Sequence, residues 1–108
     1  MSDLHQVVAQ SADAAGLHAP VPALLLELQT LLGSLTASVT SVTERGRRPF
    51  RPGPDWSARL GDLAYGVYLL ADQTGVDVST CVTTTADALL AQGQQAQATG
   101  QHGWPFDT

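Results

Sequence analysis

The chain of 108 residues contains no lysine, a single cysteine, and only two each of tryptophan, tyrosine and phenylalanine. Without lysine its five basic residues are all arginines, and against ten acids they leave a net charge of −5. That balance speaks against a general electrostatic grip on nucleic acid or anionic lipid, since both need phosphate-neutralising cations. The lone Cys81 cannot close an internal disulfide, so a disulfide scaffold is excluded, and it is expected as a small core residue at a helix start. His5, His18, His102 and Cys81 are dispersed, with no pair at the i, i+4 spacing of a helical zinc site. Neither a nucleophile-elbow pattern nor a phosphate-cradling glycine pattern occurs. Long apolar runs are missing as well. Ala23 to Leu26 and Leu31-Leu32 are interrupted by Glu27, Gln29 and Thr30, short of the roughly 20 residues that span a bilayer. No transmembrane helix is expected, and the N-terminus lacks the basic start and apolar centre of a signal peptide, which makes the cytoplasm the expected compartment.

What is present is a composition of 44% hydrophobic and 14% charged residues, suited to one compact domain with one core. Four segments carry helical spacing. Ser2 or Asp3 can cap a first helix bearing Leu4, Val7, Val8 and Ala12 and ending near Gly16. After Pro20-Val21-Pro22, a wide stripe of Leu24, Leu25, Leu28, Leu31, Leu32, Leu35, Val39 and Val42 predicts a central helix over about 22–43. A third helix begins near Trp56-Ser57, with Asp55 or Ser57 as cap, carries Leu60, Leu63, Ala64, Val67, Leu70 and Ala71, and stops at Gly75. Asp77 or Ser79 can cap a fourth that bears Val82, Ala86, Leu89 and Leu90, although Thr83-Thr84-Thr85 lowers its propensity. An all-α four-helix bundle follows, with residues 1–91 as a single domain and 92–108 as a polar tail that Trp104 and Phe106 could anchor. Leu25, Leu28, Leu32, Leu63, Val67 and Leu70 are the expected core.

All the positive charge lies between Arg45 and Arg59. The segment 44–56, ERGRRPFRPGPDW, breaks helices through Pro49, Pro52 and Pro54, and reads either as a solvated loop or as an arm that presents Arg47, Arg48 and Arg51 to a phosphorylated ligand or acidic partner. Two acids stand out in the apolar helices: Glu27 in the second and Asp62 in the third. Each lies at the solvent edge of its helix, or is paired, or holds a metal, because an unpaired buried carboxylate is costly.

The order of these segments resembles the MazG-like all-α nucleoside triphosphate pyrophosphohydrolases. Pro22 onward (PALLLELQTLLGSL), the Pro-rich loop to Asp55-Trp56, and RLGDLAYGVYLLADQTGVDV carry the likeness, over about Pro20 to Leu90. The second half is the stronger, with Leu60-Gly61-Asp62-Leu63, Leu69-Leu70-Ala71-Asp72 and Gly75-Val76-Asp77-Val78 in the family's order and spacing. The resemblance implies Glu-x-x-Glu on the central helix and Glu-x-x-Asp on the next. Residues three apart share a helix face, so the family's four acids line one cleft and hold Mg²⁺ through oxygen ligands. The metal carries the triphosphate and helps a water cleave between the α and β phosphates, giving a nucleoside monophosphate and pyrophosphate.

Against that pattern Glu27 and Asp62 stand as residual metal ligands, but the second acid is replaced by Thr30 and the third by Arg59, while Gly33 sits where a further acid is often found. At an effective dielectric of about 20 and roughly 6 Å, an arginine repels Mg²⁺ by on the order of 5 kcal/mol. The last helix offers Thr85, Ala88 and Leu89 in place of the family's Lys and Asn near the nucleotide. The expectation is a MazG-like homologue with a degenerate metal site, Arg59 standing in for the cation between Glu27 and Asp62, and weak or no activity. If active, it would be a Mg²⁺-dependent hydrolase using Glu27 and Asp62, with help from Asp72 or a second chain, and the arginine loop on the phosphates; otherwise no cofactor is expected. The alternative is a non-catalytic binding or regulatory module. The resemblance and the broad stripe of Leu24 to Val42 imply a homodimer or tetramer, with a nucleotide as a further possible partner.

Overall fold

The structure is a computed structural model that describes residues 3–99; Ser2, His102, Trp104 and Phe106 lie outside the described residues. Four helices follow in order: α1 (Asp3–Ala15), α2 (Val21–Val42), α3 (Trp56–Thr74) and α4 (Val78–Thr99). Among the described residues there is no strand, and 45–55 holds no helix, so the all-α class stands. The chain forms two compact units, Met1–Val76 and Asp77–Thr108, whereas the sequence suggests one domain through residue 91. α4 continues to Thr99, well into the stretch read as a polar tail.

Local chemistry sets the helix ends. α2 starts after Pro20, with proline in its first turn, where the missing N–H is no loss. α1 and α3 end in matching Schellman caps. Gly16 and Gly75 take φ of 65° and 70°, and the next residue's amide returns to a carbonyl five back, Leu17 to Ala12 and Val76 to Ala71, each at 2.9 Å. α2 ends in the same hydrogen-bond pattern without a glycine at the turning position. Arg45 donates to the Thr40 carbonyl at 2.9 Å, and Glu44 supplies the positive φ of 49°. Thr43, buried at the start of the loop, accepts from the Gly46 amide at 3.1 Å and donates to the Val39 carbonyl at 2.7 Å. The loop closes on Phe50 and Trp56, whose rings meet edge to face at 4.9 Å. Asp55 takes the N-cap position of α3 but makes no side-chain cap bond; Asp77 does cap α4, accepting from the Thr80 amide at 3.2 Å.

Within the first unit α3 packs against both α1 and α2. The buried cluster is Val8 and Ala12 from α1, Leu24 from α2 and Leu69 from α3, with Ala19, Tyr65, Tyr68 and Leu70 against it. On α2 the face toward its neighbours runs Leu24, Leu28, Leu31, Leu35, an i, i+4, i+7, i+11 ladder in which Leu24 and Leu35 are buried and the other two half-buried. This corrects the expected core. Leu28, Leu63 and Leu70 are half-buried, while Leu25, Leu32 and Val67 are 46%, 55% and 38% exposed. The α2 stripe is broader than the surface α3 offers, so only one edge of it is covered. By length and composition alone α2 is also apolar enough to cross a membrane, which the interrupted runs had not suggested. In α4, Cys81 is exposed rather than a core residue.

Two polar clamps hold α3 to α1 and to the α1–α2 connection. The Gln73 side-chain amide brackets the Ala19 peptide, accepting from its N–H at 3.1 Å and donating to its carbonyl. Ser11 Oγ and the Tyr65 hydroxyl lie 2.6 Å apart and tie α1 to α3.

Candidate functional site

The register of α2 and α3 decides which acids can meet. Gly66 lies against Leu28, and Arg59 reaches Ser34. Rising numbers on one helix therefore meet falling numbers on the other, and the pair is antiparallel. Asp62 falls level with about Leu31, one helical turn from Glu27 on the same side of α2, because residues four apart share a face. Gly66 permits the close approach: a Cβ there would come within 2.6 Å of Leu28 Cδ2.

The two sequence-predicted acids do come together. Glu27 and Asp62 both line a cleft of about 590 Å³ at the first unit's surface, floored by Leu24, Leu28, Leu31, Gly66 and Leu69, with Tyr65 and His18 among its walls. Both carboxylates are exposed, which is the solvent-edge placement, and neither has an ion-pair or hydrogen-bond partner among the described residues.

The residues expected to alter the site lie differently. The Arg59 guanidinium donates to Ser34 Oγ and pairs with no carboxylate among the described residues, so it does not stand between Glu27 and Asp62. The sequence fixes its helix face; the long side chain then reaches away from Asp62 to a hydroxyl on the facing helix. Thr30 is exposed and turns its hydroxyl to the Leu26 carbonyl at 3.1 Å, the ordinary back-bond of a helical threonine. Asp72 cannot assist Asp62 in the same chain, since ten residues of helix separate them by about 15 Å. It faces His18 instead, with Oδ2 3.3 Å from Nε2, while Asp13 lies 3.5 Å from Nδ1. This His18 arrangement is the part of the site that sequence reasoning missed. Its only signal was a histidine just past the Gly16 cap.

Of the phosphate-binding candidates, Arg48 pairs with Glu44 at 3.3 Å across one exposed turn, and Arg47 and Arg51 are exposed on the loop. None of the three lines the cleft.

This donor set does not fit a resident Mg²⁺. No group of three or more His, Cys, Asp or Glu side chains is placed to hold a metal among the described residues. Two carboxylates usually hold Mg²⁺ together with waters and substrate phosphates, and no arginine lines the cleft to bring a phosphate to it. Compared with protein families, with curated proteins and with solved structures, the chain matches none.

Proposed function

We propose that this chain is a MazG-like nucleotide pyrophosphohydrolase homologue with a degenerate metal site, a self-associating helical module with weak or no turnover of nucleoside triphosphates. The observation that carries this reading is the composition of one cleft. Glu27 and Asp62 share it, as the family pattern requires, yet the two positions that should complete the acid set hold Thr30, bonded to its own backbone, and Arg59, bonded to Ser34. On this reading two acids of the family pattern are kept in one cleft and the other two are replaced. Self-association is supported by the uncovered edge of α2, where Leu25, Leu26 and Leu32 are 46%, 64% and 55% exposed. A second copy would cover that edge at a symmetric interface.

The test is pyrophosphate release by purified protein, screened across purine and pyrimidine nucleoside triphosphates with millimolar Mg²⁺. Little or no release above a blank is expected. Robust Mg²⁺-dependent release from any of them would overturn the degenerate-site reading.

A further inference from the structure

We infer that the cleft between α2 and α3 binds a small organic cation, an ammonium group carried on an apolar body. The inference uses only the walls of the cleft and stands whatever the ancestry of the chain.

Its volume of about 590 Å³ is in the range of small-molecule sites. Leu24, Leu28, Leu31 and Leu69 make its lining largely apolar, so a ligand with a hydrocarbon body gains by entering. With its hydroxyl held by Ser11, Tyr65 adds an aromatic ring to the wall, a surface that also attracts cations.

Charge then selects the ligand. Glu27 and Asp62 line the cleft without an ion-pair partner among the described residues, and no arginine lines it. The remaining ionisable wall residue with basic character is His18, whose two nitrogens already face Asp13 and Asp72. An anionic ligand would therefore meet two carboxylates and no free cation. A neutral one would bury apolar surface but leave both carboxylates unused. An alkyl- or arylalkylammonium uses both features, placing its body on the leucines and its N–H donors on carboxylate oxygens.

The experiment is calorimetric titration of the full chain with 2-phenylethylammonium and hexylammonium, each against the alcohol and carboxylate of the same body. At least one ammonium should bind at least tenfold more tightly than its alcohol, and the carboxylates should bind more weakly still. Glu27→Gln and Asp62→Asn should each weaken the ammonium at least fivefold and leave the alcohol unchanged, with circular dichroism melting confirming that both fold. Asp87→Asn, on α4 and outside the cleft, should change nothing. Raising the salt should weaken the ammonium alone, because exposed charges are screened. The inference is overturned if neither ammonium binds, if alcohol and ammonium bind equally, or if both cleft variants retain full ammonium affinity.

Discussion

Arg59 on α3 gives its guanidinium to the hydroxyl of Ser34 on α2, and not to Asp62, the next acid along its own helix. A cationic side chain that had replaced a metal would lie between Glu27 and Asp62 and hold their charges together. Here it serves as a strut between two antiparallel helices, and the carboxylates are left to the cleft. Had Arg59 bridged two buried acids, its loss would have cost about 2–4 kcal/mol.

With Ser34 as the partner, Arg59→Ala should cost about 1.5 kcal/mol, the low end of what a hydrogen bond from a charged donor contributes when it is half-buried. Urea denaturation of Arg59→Ala, Ser34→Ala and the double variant checks this. The two single losses should fail to add, because the bond can be lost only once. Full additivity would mean that the contact contributes nothing.

Glu44 turns the chain at the end of α2 with φ of 49°, a conformation that costs a non-glycine residue about 1 kcal/mol. Glu44→Gly should raise stability by about 0.5–1 kcal/mol despite losing the exposed pair with Arg48, which is worth a few tenths at most. Thermal melting measures the change, and a fall in melting temperature would show that the Arg48 pair outweighs the strain.

Gln73 holds both sides of the Ala19 peptide, so Gln73→Ala leaves a partly buried N–H and carbonyl without partners. A loss of about 1–3 kcal/mol is expected in denaturant melts. Gln73→Glu should do little better, because a carboxylate can still accept from the amide but cannot donate to the carbonyl.

The uncovered edge of α2 predicts association. Sedimentation at micromolar concentration should give a mass of two or four times 11.3 kDa. Leu32→Asp, at a position 55% exposed in the single chain, should shift the protein toward monomer without unfolding it. A wild-type monomer would mean that one chain tolerates this much uncovered leucine.

Helix placement was legible because local signals set it. Pro20-Val21-Pro22, Gly16, Gly75 and Asp77 mark ends that need no tertiary information, and the end of α1, the start of α2, the end of α3 and the start of α4 fall where those residues place them, whereas α4, with no such stop signal near residue 91, runs on to Thr99. Burial was less legible. Periodicity shows that Leu24, Leu25, Leu28, Leu31, Leu32 and Leu35 share a broad stripe, but which half meets α3 depends on the helix crossing, and Leu24, Leu28, Leu31 and Leu35 form that half. The site divides in the same way. That Glu27 and Asp62 share a cleft was implied only by the family resemblance, and it is the antiparallel register of α2 and α3 that carries it. That Arg59 goes to Ser34 follows from a rotamer and a neighbour on another helix, and i, i+3 spacing carries neither.

The most direct test of the proposed degenerate site is Mg²⁺ binding by calorimetry, on wild type beside the Thr30→Glu, Arg59→Glu variant that supplies the four acids the family resemblance implies. Wild type should show no Mg²⁺ binding below millimolar concentration, and its melting temperature should not move with the metal. The rebuilt variant should bind Mg²⁺ at least tenfold more tightly and melt higher when it is present, since a ligand specific to the folded state stabilises it by mass action. Wild type binding Mg²⁺ as tightly as the rebuilt variant, or a rebuilt variant indifferent to the metal, would contradict the account.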